Sequence, residues 1–545
     1  MQAGDHLIIA PILIPFLTGA LLLLYDDRRR RAKLALGLAS ALALLFVSFE
    51  LLARSKGGPI GDDSAISLYL LGNWIVPFGI VLVLDRLSAM MLMLTALLAI
   101  PALIYSGAGW NRQGQHFQSL FQFLLMGLNG AFLTGDLFNL FVFFEVLLAA
   151  SYGLLLHGGG QMRIRAGLNY IAVNLTASLL FLIGVSLIYG VTGTLSMAQL
   201  AQMMPGLPVS DRPLVHVGAA LMGVAFLIKA GIWPLSFWLP GAYMASSAPV
   251  AAMFSVMTKV GIYVVIRLAM LLFGPHGGPS AGFGAEVLIA AGMATIVFGF
   301  LGVLASQGLG RVAAHLMLVS SGTALAALGM VLGGASAKVL SGALYYVVGS
   351  TVATGALFLL IEPMSREDGG IAAMLALTAE AWGIDEEEED GRPEVGLAIP
   401  GTASALGLSF GLCLMALAGL PPLPGFIGKV AILSGMLGGG SLSPGLQWAF
   451  LGLLLLSGFA TLIGLLRVGV QTFWANEGFA PRVLALEFAP VVLLVGMLAT
   501  LSLRADDAMR YMDATARALE RPRIYTEGVL EAPRVHGAVE GGDER

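Results

Sequence analysis

The chain has 545 residues, of which 57% are hydrophobic and 11% charged, and its formal net charge is −4. A soluble surface for a protein of this size needs far more charge, so the composition excludes a soluble globular fold. Apolar runs of about 18 residues or more recur from end to end, and the ~10-residue alternating segments of a transmembrane barrel are absent.

An all-α polytopic membrane protein is therefore expected. In chain order the apolar runs give about fourteen transmembrane helices, at 6–25, 34–53, 80–106, 117–134, 136–157, 166–190, 214–234, 242–271, 284–305, 311–333, 339–361, 401–437 (interrupted), 446–468 and 484–503. The first run lacks a basic segment before it and carries Arg28 to Arg31 and Lys33 after it, so it is expected to be an uncleaved anchor. With the N-terminus outside, the inner loops hold those five basic residues together with Arg112, Arg163, Arg165, Arg311, Arg366, Arg392, Arg467 and Arg482. The outer loops hold only Arg54, Lys56, Arg212 and Lys338. This asymmetry matches the positive-inside rule. An even number of spans then leaves the polar tail after 503 outside, with a short amphipathic helix expected from Asp506 to Leu519. The acidic run 385–390 is expected to be a solvated cytoplasmic loop.

Five cations fall inside the spans: Arg86, Lys229, Lys259, Arg267 and Lys429. A single cation at the bilayer centre costs about 2.5–3.5 kcal/mol, so five would cost roughly 12–18 kcal/mol, more than typical domain stability. They must face a packed interior or a hydrated path, or lie near an interface. Two spans are also broken. Lys229 is followed by Gly231, Pro234 and Pro240, and Lys429 is preceded by Pro421, Pro422, Pro424 and Gly425. Irregular backbone in a membrane is tolerated only where protein or water satisfies its polar groups. Two broken helices in corresponding places, each with a lysine, form the pattern of an inverted-repeat transporter.

The chemistry follows from these residues. Glu145 sits mid-helix among Phe and Leu, and its functional reading is an ion-pair partner for Lys229. The structural alternative is a static buried pair. Burial disfavours the charged form of Lys229 and a nearby carboxylate favours it, so opening and closing such a pair would release and capture a proton. Lysine suits this work because arginine does not deprotonate in proteins. Lys259 and Lys429 are read as further proton carriers. Ser255, one turn before Lys259, is a candidate to share its water. His315 is a candidate relay or a satisfied interior histidine. Arg267 is expected to snorkel, Asp85 and Arg86 to form a local pair, and Asp136 to cap a helix N-terminus. Trp110, Trp233 and Trp238 fit aromatic belts.

One cysteine, Cys413, excludes an intrachain disulfide, and no iron–sulfur or haem-attachment spacing is present. No phosphate-binding glycine motif occurs. Neither a cofactor nor a metal is expected, and the energy source is an ion gradient or a partner.

The segments LVLDRLSAMMLMLTAL, FNLFVFFEVLLAASYGLLLHG, GVAFLIKAGIWPLSFWLPGAYMASSAPVAAMFSVMTKVGIYVVIRL and LAGLPPLPGFIGKVAILSGML together resemble the antiporter-like subunits. That superfamily joins the membrane arm of respiratory NADH:quinone oxidoreductase to the Mrp-type multisubunit cation/proton antiporters. SFWLPGAY, VGLAIPGTASALGLSF after the acidic loop, and the tail AMRYMDATARALERPRIY are most similar to the D-type branch of the Mrp-type (Pha-type) antiporters. The resemblance covers nearly the whole chain. It implies fourteen helices with two inverted five-helix repeats. Helices 1–3 would occupy 1–110, the first repeat 111–275, and the second 276–470 with the cytoplasmic loop 362–397. The last helix and tail would occupy 471–545. It also implies a hydrated polar axis at mid-membrane, with the family's glutamate at Glu145 and its lysines at Lys229, Lys259 and Lys429.

One segment departs from the pattern. LYYVVGSTVATGALFLL carries Gly349 where relatives have a histidine and Thr354 where a lysine is common. The central relay would then use water, Tyr345, Tyr346, Ser350, Thr351 or His315. The function expected is that of one component of a secondary transporter exchanging protons for Na⁺ or K⁺ across a bacterial inner membrane, multi-pass, in a hetero-oligomeric complex with other antiporter subunits. The rival is a proton-pumping component of a respiratory NADH dehydrogenase or membrane-bound hydrogenase. The polar axis is common to both, and the loop and tail segments favour the antiporter.

Overall fold

The computed structural model describes residues 5–26, 28–56, 66–365, 401–439, 442–473 and 483–532. The acidic run 385–390, Arg366, Arg392 and Arg482 lie outside the described residues. Nineteen α-helices and one two-stranded hairpin are present among the described residues. Eleven of the helices are long and apolar enough to cross a membrane. The chain is a polytopic helical membrane protein.

The first part contains α1 (Ala10–Leu24), α2 (Arg30–Arg54) and α3 (Arg86–Ser106), with β1 (Ser67–Leu70) and β2 (Val81–Leu84) antiparallel between the last two. The apolar run at 80–106 is thus not one helix. Its first residues pair as a strand, and α3 starts where the Asp85 carboxylate accepts from Ser88 N while the Ser88 hydroxyl takes Asp85 N. Then follow α4 (Phe117–Leu133), α5 (Leu137–Leu156), α6 (Gln161–Thr192), the short α7 (Met197–Met203), α8 (Arg212–Ala230), the short α9 (Leu239–Ala245) and α10 (Ala248–Phe273). The second half runs α11 (Ala285–Ala305), α12 (Leu309–Leu332), α13 (Ala337–Ser365), α14 (Thr402–Ala418), α15 (Pro424–Leu437), α16 (Pro444–Phe473) and α17 (Ala485–Leu503). The tail forms α18 (Ala505–Glu520) and α19 (Pro522–Leu530).

Burial sorts these helices into an inner and an outer set. The apolar windows of α10, α12 and α13 are 94%, 89% and 89% buried, whereas those of α6, α11 and α17 are 39%, 33% and 28%. The inner three have no face left for lipid, so polar side chains on them can meet only protein or internal water.

Both expected breaks are present and built alike. α8 ends at Gly231 and α14 at Gly419, each in the left-handed region (φ 73° and 82°), where a side chain is disfavoured. The next amide folds back in each case, Ile232 N to Leu227 O and Leu420 N to Met415 O, at 3.0 and 2.9 Å. The prolines that follow forbid helix continuation. At the first break the Trp238 indole donates to Ile228 O at 3.2 Å. Trp238 is 1% exposed and belongs to the break rather than to an aromatic belt.

The tail lies at the end of the bundle that the loop charges assign to the outside. Tyr511 of α18 donates to Arg86 O at 2.7 Å and lies 3.0 Å from Ser55 Oγ. The hairpin and the 134–136 and 196 connections meet at this same end, through Leu82 to Thr134 and Asp136 to Ser196.

Candidate functional site: three buried lysines

Lys229, Lys259 and Lys429 are 0%, 1% and 8% exposed. None of them forms an ion pair among the described residues. Each instead gives one hydrogen bond to a neutral acceptor.

Lys229 lies in the last turn of α8. Its Nζ donates to the Tyr170 hydroxyl on α6 at 3.1 Å, and that hydroxyl lies 2.8 Å from Ser151 Oγ on α5. Ser151 in turn donates to Leu148 O at 2.7 Å. An ammonium has three donors and no acceptor, so Lys229 is the donor to Tyr170. Tyr170 accepts from Lys229 and shares its own proton between Ser151 and Met257 Sδ, and Ser151 gives its proton to a main-chain carbonyl. The chain stops there, because a carbonyl has no proton to hand on. The rings of Tyr170 and Phe144 also face the ammonium, with centroids 5.3 and 5.8 Å away.

Glu145 is not in contact with Lys229. It is half-buried on α5 and accepts a hydrogen bond from Ser178 of α6. The expected direct pair is thus open in this structure. Phe144, its chain neighbour, presents its ring to the ammonium.

Lys259 repeats the same design on the inner helices. Its Nζ donates to Ser320 Oγ of α12 at 2.9 Å, which lies 2.7 Å from Ser350 Oγ of α13. Ser350 then donates to Val347 O at 3.2 Å. The order lysine, hydroxyl, hydroxyl, carbonyl is the same as at Lys229. Lys429 differs, because its Nζ donates directly to Ala418 O, the last carbonyl of α14, at 3.0 Å. The lysine itself satisfies a carbonyl freed by the second break. Gly419 and Gly458 leave the room for it, since a Cβ at either would stand 3.1 or 3.2 Å from Nζ.

Packing links the three positions. Tyr170 stacks on Phe254 and reaches Met257 Sδ at 3.7 Å, both on α10. Ser350 lies on α13, and Tyr346 of α13 packs where a Cβ on Gly428, the neighbour of Lys429, would fall.

Of the candidate relays, Ser350 joins Lys259 through Ser320. Ser255 does not, because its hydroxyl folds onto Ala252 O at 2.6 Å and lies 3.4 Å from Thr351 O. Tyr345 donates to Leu501 O on α17. His315 contacts its own helix at Arg311 O and the Phe298 ring, between α11 and α12. Thr351 and Thr354 both return to carbonyls of α13.

Other expectations are corrected. Arg267 does not snorkel. It forms a two-pronged pair with Asp85, 182 residues away, and also donates to Tyr263. Asp85 thus pairs across the fold rather than with Arg86, whose guanidinium reaches Lys56 O at 2.7 Å and the Tyr511 ring. Asp136 caps α5 as expected, accepting from Asn139 N at 2.9 Å. Sequence reasoning missed Tyr170, Ser151, Ser178 and Ser320, which are polar residues of ordinary type within apolar helices. It also missed Glu362. That carboxylate accepts from Tyr105, Trp110 Nε1 and Ala248 N at 3.0–3.2 Å, beside a cavity of about 810 Å³ between α10, α12, α13 and α16. Trp110 is therefore a partner of Glu362 rather than a belt residue.

Residues 134–457 match the family described as NADH:quinone oxidoreductase/Mrp antiporter, TM. The chain belongs to that family. It is 55% identical, over 97% of its length and 98% of the relative's, to the probable D component of a K(+)/H(+) antiporter of Rhizobium meliloti. It is 33% identical, over 97% of its length and all of the relative's, to the D component of the Na(+)/H(+) antiporter of Alkalihalophilus pseudofirmus. Among solved structures, a chain of the Mrp complex from Dietzia sp. DQ12-45-1b superposes with a TM-score of 0.81 at 26% identity, covering 97% of this chain and 100% of that one. The lysines and both breaks fall within the stretch matched to the family. Asp85, at one end of the pair with Arg267, and the tail helices lie beyond it.

Proposed function

We propose that this chain is the D component of a multisubunit monovalent cation/proton antiporter of the Mrp type. Protons cross it by way of Glu145, Lys229, Lys259 and Lys429. The observation that carries this reading is the burial of three lysines with one neutral acceptor each. Arg267, by contrast, is a buried cation held by the Asp85 carboxylate. Among the described residues these three keep two donors apiece free of protein acceptors, which suits groups that exchange protons with water.

The architecture that fits is fourteen spans. The eleven long helices are joined by α1, α4 and the broken pair α14–α15. Two inverted five-helix repeats, 111–275 and 276–470, would then each contain one break, and the matched glycines Gly231 and Gly419 support that pairing. The chain would work in a bacterial inner membrane beside other antiporter subunits, exchanging H⁺ for Na⁺ or K⁺. One elementary charge crossing 100 mV is worth about 2.3 kcal/mol. That is less than a hundredfold change in a lysine's proton affinity, so a modest change at each site suffices to gate transfer. The test is cation-dependent proton exchange in everted vesicles carrying the assembled complex with Lys229→Ala or Glu145→Ala. Exchange should be lost, and undiminished exchange would discard the path.

A further inference from the structure

Glu145 and Lys229 do not touch, yet α6 holds them both. Tyr170 of α6 accepts from Lys229 Nζ at 3.1 Å, and Ser178 of α6 donates to the Glu145 carboxylate. Midway between them stands Asn174, four residues after Tyr170 and four before Ser178. Four residues make about one helical turn and ~6 Å of rise, so the three side chains follow one another along one face. That face is the buried one. The other buried residues of α6 are Gly167, Ala177, Phe181, Gly184, Val185 and Ile188, none of them polar. Every buried polar side chain of α6 thus lies in this row, and its two outer members already hold the ionisable pair.

Asn174 is fully buried, and its Nδ2 donates to Tyr170 O at 2.8 Å. A carbonyl accepts only from the amide nitrogen, which fixes the orientation of the side chain and leaves Oδ1 as the other atom. That oxygen is buried and has no protein donor. An acceptor buried without a donor is costly, and ordered water is what satisfies such groups inside proteins. A second group of this kind is near. The buried Tyr152 hydroxyl of α5 also lacks a protein partner, and its ring stands edge-on to that of Tyr170 with centroids 5.4 Å apart. Tyr152 comes seven residues after Glu145, on the same side of α5. Lys229, for its part, has two donors beyond the one it gives to Tyr170. Spare donors on the lysine, an unmet acceptor on Asn174 and a carboxylate one turn further along form a series that water completes.

We propose that Asn174 is a positioning residue that holds a short file of water between Lys229 and Glu145, along which the proton of the lysine reaches the carboxylate. The inference rests on the proton path proposed above. The water beside Asn174 donates one hydrogen to Oδ1 and the other towards Glu145, so its lone pairs face the ammonium. In the transfer an N–H bond breaks at Lys229 and an O–H bond forms at Glu145. Each water takes up one proton and passes one on, so the file remains water and both end groups become neutral. Direct contact of the two charges is then not needed, which accords with Ser178 and Tyr170 holding them apart. Tyr152 offers the same file a hydroxyl from the α5 side.

The experiment is cation-dependent proton exchange in everted vesicles carrying the assembled complex, in H2O and in D2O, with a shape-matched pair of variants. Asn174→Thr keeps a hydroxyl that donates to Tyr170 O and accepts from water, and Asn174→Val has the same shape without it. Asn174→Val should lower the rate by about ten- to a hundredfold and raise the solvent isotope effect, because proton transfer then limits turnover. Asn174→Thr should return both towards wild type. A packing role would treat the two variants alike, so equal rates and isotope effects for the pair overturn the proposal. An Asn174→Val complex that exchanges as wild type also overturns it. If Asn174→Val does not assemble, Asn174→Leu, an apolar isostere of the amide, takes its place under the same two readouts. Lys229→Ala, measured alongside, separates this inference from the path beneath it. Loss of exchange there with an unaffected Asn174→Val strikes only the role of Asn174, whereas undiminished exchange in Lys229→Ala strikes the path and this inference with it.

Discussion

Tyr170→Phe isolates what the hydroxyl at Lys229 does. The substitution keeps the ring that faces the ammonium and removes only the oxygen at 3.1 Å. That oxygen accepts from the ammonium, so its loss disfavours the charged lysine. A hydrogen bond to a charged group contributes about 1.5–3 kcal/mol. At 1.36 kcal/mol per pH unit, proton affinity at Lys229 should fall by about one to two pH units. The sign follows directly. The lysine gives up its proton at lower pH, and the limb of the exchange profile that it governs moves toward acid by that amount. The assay is the initial rate of cation-dependent proton exchange in everted vesicles across a pH series, normalised to assembled complex. Ser151→Ala should move the profile the same way by less, because it removes a hydrogen-bond partner of Tyr170 and leaves the acceptor of the ammonium in place. A Tyr170→Phe profile that overlays wild type would refute the reasoning. So would loss of exchange at every pH, since that would make Tyr170 a conductor rather than a clamp.

Ser320→Ala should produce the corresponding acid shift through Lys259, again on the order of one to two pH units, in the same vesicle assay. Gly458→Ala would place a Cβ 2.6 Å from Ala418 O and 3.2 Å from Lys429 Nζ. The backbone must shift at a cost of about 1–3 kcal/mol, and exchange should drop severalfold in complex that still assembles. Asp85→Asn leaves the Arg267 guanidinium buried without its carboxylate. Thermal unfolding should report a loss of about 3–5 kcal/mol, part of which Asp85→Leu/Arg267→Met should recover.

The polytopic helical class and the buried position of the three lysines were legible in the sequence because both follow from what a bilayer excludes. Long apolar runs must cross it, and Lys229, Lys259 and Lys429 cost too much there to be idle. The breaks were legible for the same reason, since Gly and Pro after Lys229 and before Lys429 cannot continue a helix. What the lysines touch was not legible. Tyr170 is 59 residues from Lys229 and Ser320 is 61 from Lys259, and only helix packing brings them together. Helical spacing put Ser255 on the Lys259 face, but its hydroxyl found a carbonyl on its own helix, which spacing cannot foresee. The expected Glu145–Lys229 pair failed because Ser178 takes the carboxylate from the neighbouring helix. Arg267 looked like a snorkelling residue because its partner lies 182 positions away, in the cap of α3. The hairpin strand at 81–84 was hidden because its apolar residues merge with the helix that follows.

Lys259→Arg tests the central claim most directly. Arginine retains the positive charge and can donate to Ser320, but it does not release a proton in proteins. If these lysines carry protons, cation-driven proton flux in vesicles with fully assembled Lys259→Arg complex will be abolished. If they serve only as fixed charges, that complex will exchange at the wild-type rate, and the account of a lysine-borne proton path is contradicted.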